Sequence, residues 1–115
     1  FVASANCARY CGADVDFVDI DADTLNLSPA KLADKLHAAR RQGRLPKVVI
    51  PVHFAGRSCD MTAIGDLGHE FGFRIIEDAA HALGATHAGE RVGSGCFSDV
   101  TTLSFHPVKH VTSGE

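Results

Sequence analysis

Apolar and polar positions along this chain follow two rhythms. From Ser28, the residues Leu32, Ala33, Leu36 and Ala39 recur at helical spacing. Ser28 suits a helix N-cap, Pro29 suits the first helical position and Gly43 lies past the end, so the pattern predicts a helix to about Gln42. Asp60 opens a second helix, with Ile64, Leu67, Gly68 and Phe71 on its inner side and Gly72 as its stop. Ala3 to Cys11, ended by Gly12, predicts a short third. Between them lie apolar runs. Lys47–Phe54 (KVVIPVHF) has the continuous character of a strand buried on both faces, and Phe73–Ala80 (FRIIEDAA) reads as another buried strand. Val15–Asp21 (VDFVDID) alternates and predicts a strand with one wet face. Gly89 and Gly93 mark a short hairpin, and Asp99–Phe105 (DVTTLSF) reads as the last strand.

Strands alternating with helices of this length imply βαβ units, an α/β fold and a mostly parallel sheet. Ligands of such sheets sit in the crevice beyond the carboxyl ends of the strands. Polar residues gather at those ends here: His53 after one strand, Glu77, Asp78 and His81 after the next, and Ser104, His106 and Lys109 after the last.

Composition narrows the classes. A net charge of −3 argues against a nucleic-acid binder working through a basic patch. No apolar run approaches the roughly 20 residues of a membrane helix. No basic-then-apolar leader marks secretion, so a cytoplasmic protein is expected. The chain opens at Phe1 without a methionine and stops at Ser113-Gly114-Glu115, which reads as an internal piece of a larger protein. Cys7, Cys11, Cys59 and Cys96 lack paired C-x₂-C spacing, so small, buried, reduced thiols are expected rather than zinc ligands.

Lys109 is the sharpest candidate for chemistry. Its neighbours are His106, His110, Ser104, Thr112 and Ser113. A neutral lysine amine attacks carbonyls, whereas a solvated loop lysine does nothing. Asp78, at the end of a buried strand, needs a cation or donors: an arginine, a helix N-terminus, or the protonated ring nitrogen of a cofactor. His81 could orient a second polar atom of the same ligand or bond the backbone. Ser104 could bind a phosphate or satisfy its own turn. A metal held by His106, His110, His53, His81 and Asp78 is the rival. Pro107 disfavours a helix through His106, and no H-E-x-x-H pattern occurs, so no metal is expected.

These stretches also carry a resemblance. EDAAHALGA (Glu77–Ala85) followed by SFHPVKHVTSGE (Ser104–Glu115) resembles the DegT-type pyridoxal-phosphate sugar aminotransferases, as do VIPVHFAGRSCDM (Val49–Met61) and FVASANCARYCGADVDFVDID (Phe1–Asp21). The likeness covers nearly the whole chain. It is nearest to the branch that aminates C4 of a UDP-linked 4-keto-6-deoxy sugar on the way to pseudaminic acid. The resemblance implies an αβα sandwich, with residues 1–115 as the central part of the cofactor-binding large domain of a fold-type-I enzyme, truncated at both ends. It implies that Lys109 forms the internal aldimine with pyridoxal 5′-phosphate and carries protons. Asp78 pairs with the pyridine nitrogen, His81 sits near the phenolic oxygen or the ring, Ser104 bonds the phosphate and Phe1 stacks on the ring. It further implies an amino-acid donor such as L-glutamate and a homodimer whose sites borrow residues from the partner. Dehydratases of this family carry histidine where Lys109 stands, which favours transamination. A cysteine desulfurase-like enzyme and a non-catalytic cofactor-binding relative remain alternatives at this point.

Overall fold

A computed structural model describes residues 1–113. In chain order the elements are α1 (Ala3–Tyr10), α2 (Pro29–Arg41), β1 (Val48–Val49), a 3-10 turn (Phe54–Gly56), α3 (Met61–Phe71), β2 (Arg74–Asp78), β3 (Thr86–His87), β4 (Glu90–Arg91) and β5 (Val100–Thr102). The helices form where their caps direct. Ser28 Oγ accepts from the Lys31 N–H at 3.4 Å. Asp60 Oδ1 accepts from the Ala63 N–H at 3.1 Å, and Gly72 closes α3 in the left-handed region.

β1, β2 and β5 form a parallel sheet with β2 in the centre. Val49 pairs with Ile75, and Asp78 pairs with Thr102 at the last rung. β3 and β4 form the expected hairpin, turning through Ala88 and Gly89, which both have positive φ, as a tight two-residue turn requires. α2 and α3 cover one sheet face. The core there holds Leu32, Leu36, Met61, Ile64, Phe71, Val49 and Ile75. Burying each such side chain is worth about 2 kcal/mol. On the other face α1 meets the sheet at the carboxyl end of β2, through Ser4 and Asp78, and none of its residues is buried.

Several expectations change. Val15–Asp21 is not a strand: among the described residues it meets other backbone in ladder fashion only at the isolated bridge Ile20↔Leu27. Alternation supplies a face, but a strand also needs an edge to pair with. Its carboxylates bind α2 instead, Asp19 to Lys31 at 2.9 Å and Asp16 to Lys35 at 2.7 Å. Lys47–Phe54 yields only the two residues of β1 and a bridge from Val52 to Asp78. Pro51 has no N–H to continue the ladder.

Nor is either run buried on both faces. Val48 is exposed, and along β2 Arg74 is exposed while Ile76 and Asp78 are half-buried, because α2 and α3 cover one side. β5 is shorter than Asp99–Phe105. Asp99 caps it from outside, accepting from the Ile75 N–H at 2.8 Å and from Arg74 at 2.7 Å, and β2 ends opposite Thr102. Of the cysteines, only Cys59 is buried; Cys7, Cys11 and Cys96 are exposed. Burial pushes the Cys59 thiol up to about 11.

Candidate functional site

Glu77 and Asp78 are consecutive on β2, so their side chains leave opposite faces of the sheet. Glu77 points into the core with 2% of its surface exposed. The Cys59 N–H donates to His53 Nδ1 at 3.0 Å, which leaves His53 Nε2–H to donate to Glu77 Oε2 at 2.8 Å. Glu77 Oε1 accepts from the Ser98 hydroxyl and from Thr101 at 3.3 Å. Burial alone would raise the Glu77 pKa. The bonds from His53 and Ser98 outweigh it and hold the carboxyl below its ordinary 4.5.

This buried carboxylate therefore ties the end of β1 to β2 and to the approach of β5. Its folded-state pKa is depressed, so its contribution is present above the unfolded value near 4.5 and is lost as pH falls through the folded value. Glu77→Ala strands the His53 N–H and the Ser98 hydroxyl and is expected to cost about 3 kcal/mol. Denaturant unfolding of the full-length protein measures it. The gap from wild type should narrow below pH 4.5; a gap that is constant with pH would dismiss the ionised role.

Asp78 lies on the other face, half-buried. Its Oδ2 accepts from the Ser4 hydroxyl at 2.6 Å and its Oδ1 from the Ala80 N–H at 3.2 Å. Its backbone is fixed by bonds to Pro51 O at 2.9 Å and from the His53 N–H at 3.0 Å. His81 follows on the surface, its ring 6.4 Å from that of Phe54. Gly56 comes so close to the His81 carbonyl that an added Cβ would sit 3.3 Å from it, which with its φ of 84° explains the glycine.

Past Thr102 the chain reaches Ser104, half-buried, whose Oγ accepts from the His106 N–H at 3.4 Å. A turn follows, with the Lys109 N–H donating to His106 O at 2.8 Å. His110 Nε2–H donates to Leu83 O at 3.0 Å, which ties the lysine loop to the segment after Asp78. Lys109 is half-buried, and among the described residues its Nζ has no carboxylate or hydrogen-bond partner. Phe1 is 94% exposed, one turn before Ser4. Gly114 and Glu115, the end of the last motif, lie outside the described residues.

The fold thus brings the Asp78, His81, Ser104 and Lys109 segments to one end of the sheet, with Phe1 just ahead of the helix that reaches Asp78. His53 does not join them; it belongs to Glu77. Among the described residues no three His, Cys, Asp or Glu side chains gather as a metal site would need. No described helix is long and apolar enough to cross a membrane. Sequence reasoning missed Ser4 and the Glu77 network. Period-two alternation signals the second, since one of two adjacent carboxylates must face the core. Nothing local signals the first.

Comparison with known proteins adds to this geometry. The model of the DegT/DnrJ/EryC1/StrS aminotransferase family matches residues 1–115. The chain is 42% identical to GDP-perosamine synthase of Caulobacter vibrioides over all of its own length and 29% of that protein's. It is 39% identical to UDP-4-amino-4-deoxy-L-arabinose–oxoglutarate aminotransferase of Shewanella sediminis, again over its full length and 27% of the relative's. Among solved structures it superimposes on Helicobacter pylori PseC, an aminotransferase of pseudaminic acid biosynthesis, with a TM-score of 0.87 at 26% identity, over 100% of this chain and 29% of that one. The chain therefore spans under a third of the length of the relatives it matches.

Proposed function

This chain belongs to the DegT/DnrJ/EryC1/StrS aminotransferase family, and from that premise we propose that its protein moves an amino group from L-glutamate to C4 of a nucleotide-linked 4-keto-6-deoxy sugar. Enzymes of the family use pyridoxal phosphate. When bound, the cofactor supplies an aldehyde to take up the amino group and a protonated ring to accept electrons. The donor set of this chain fits such a group. Asp78 is an anchored carboxylate for a ring N–H, Lys109 Nζ has no ion partner among the described residues, and Ser104 offers a hydroxyl to a phosphate. The observation that carries the reading is this set on one sheet end, in a chain matched from end to end by the family.

Each residue then has a task. Asp78 would hold the proton on the ring nitrogen. Lys109 Nζ would anchor the cofactor, take the proton from Cα of glutamate and return one at C4 of the sugar. Ser104 would bond the phosphate, and His81 and Phe1 would position the ring. Glutamate becomes 2-oxoglutarate and the ketone becomes an amine, so electrons balance between donor and acceptor. The Shewanella relative's name couples a UDP-sugar to oxoglutarate, and the Caulobacter relative's name gives a GDP-sugar, which supports the substrate class.

Within that class we place the substrate in the UDP-linked, pseudaminic acid branch, the enzyme in the cytoplasm and the assembly as a homodimer. Three exposed free thiols suit a reducing compartment. Full-length protein given glutamate and either a UDP- or a GDP-linked 4-keto-6-deoxyhexose should release 2-oxoglutarate and the 4-amino sugar in equal amounts, by mass spectrometry. The UDP-sugar should react faster. Faster reaction of the GDP-sugar removes the branch, and no amine from either removes the function.

A further inference from the structure

Ser4 is 74 residues from Asp78 in sequence, yet its hydroxyl donates to Asp78 Oδ2 at 2.6 Å. Building on the aminotransferase reading above, we propose that Ser4 is a positioning residue for the cofactor-binding carboxylate.

Three observations carry it. An ionised carboxylate accepts about four hydrogen bonds. Asp78 has two from the protein, Ser4 on Oδ2 and Ala80 N–H on Oδ1, which stop the group rotating and leave about two acceptor positions, enough for a ring N–H. Second, the donor is neutral. A lysine or arginine at this place would pair with Asp78 and offset the charge that a protonated ring nitrogen needs; a hydroxyl satisfies an oxygen and leaves the charge intact. No cation is paired with Asp78 among the described residues, whereas Asp16, Asp19 and Asp99 each hold one. Third, α1 buries none of its residues, so this bond is a principal tether of the helix to β2. Ser4 N–H also bonds Phe1 O at 3.4 Å in the first turn. The same serine thus links the carboxylate to the backbone of the aromatic residue placed at the ring face.

The test reads binding alone. In full-length Lys109→Ala protein, pyridoxal phosphate binds without a covalent bond, and equilibrium dialysis gives its Kd. Ser4→Ala in that background is expected to weaken binding about tenfold. Ser4→Thr, which keeps the hydroxyl, should stay within about threefold of the parent. Once Asp78→Asn is also present, Ser4→Ala should cost nothing further, because the carboxylate it positions is gone. A Kd unmoved by Ser4→Ala overturns the proposal. So does an equal loss with Asp78 kept or replaced, which would make Ser4 a tether of the helix and nothing more. The underlying reading fails separately: if borohydride reduction of loaded wild-type protein leaves no label on Lys109, the aminotransferase assignment falls whatever Ser4 does.

Discussion

Lys109→Ala in the full-length protein is expected to lower transamination by about 10,000-fold while the cofactor still binds, more weakly, through Asp78 and the phosphate contacts. In the proposed mechanism the lysine carries both the covalent hold and the proton transfers, and no neighbouring group replaces it. His110 is next in sequence, but its ring is engaged with Leu83 O. Wild-type protein loaded with pyridoxal phosphate, reduced with borohydride, digested and mapped should carry its label on Lys109. Three other lysines of this chain compete and each is disfavoured. Lys31 Nζ is held by Asp19 at 2.9 Å and Lys35 Nζ by Asp16 at 2.7 Å. Both amines are thus already engaged in ion pairs. Lys47 precedes β1, at the amino end of the sheet and away from Asp78. A label on any of the three, or normal turnover by the alanine variant, would sink the assignment.

Asp78→Asn should slow the half-reaction with glutamate by about 100- to 1,000-fold with the fold intact. An amide has nearly the shape of the carboxylate, and the backbone bonds to Pro51 O and from the His53 N–H do not depend on the side chain. What goes is the negative charge that, in the proposed mechanism, keeps the ring nitrogen protonated and the ring able to accept electrons. Single-turnover absorbance with glutamate measures the rate, and a thermal melt checks the fold. A rate near wild type would take Asp78 out of the site. Loss of both rate and melting temperature would mean that its bond with Ser4 serves the fold first.

The parts of the molecule legible in the sequence are those whose cause is local. Ser28 and Asp60 accept from backbone N–H groups three residues on, so the starts of α2 and α3 can be read from a few letters. Ala88-Gly89 makes a turn whatever surrounds it. Strand lengths were less legible. A ladder needs two chains, and Pro51 and the ends of the partner strands set where pairing stops. Val15–Asp21 has a strand's alternation without an edge to join, and its acidic side chains turn instead to Lys31 and Lys35.

By itself, then, the sequence determined the α/β class, the helix caps and the hairpin, because capping and turn geometry act within a few residues, and it named Asp78, His81, Ser104 and Lys109 as candidates. Only the tertiary structure decided which carboxylate of the Glu77-Asp78 pair is buried against His53 and which stays at the open end. It alone decided that α2 and α3 cover one sheet face, leaving Cys7, Cys11 and Cys96 exposed, and that Ser4 meets Asp78. The physical reason is the range of the contacts. Burial and the pairing of buried polar groups depend on what another element brings to the same place, and a contact between residues 74 apart leaves no periodic trace in the chain.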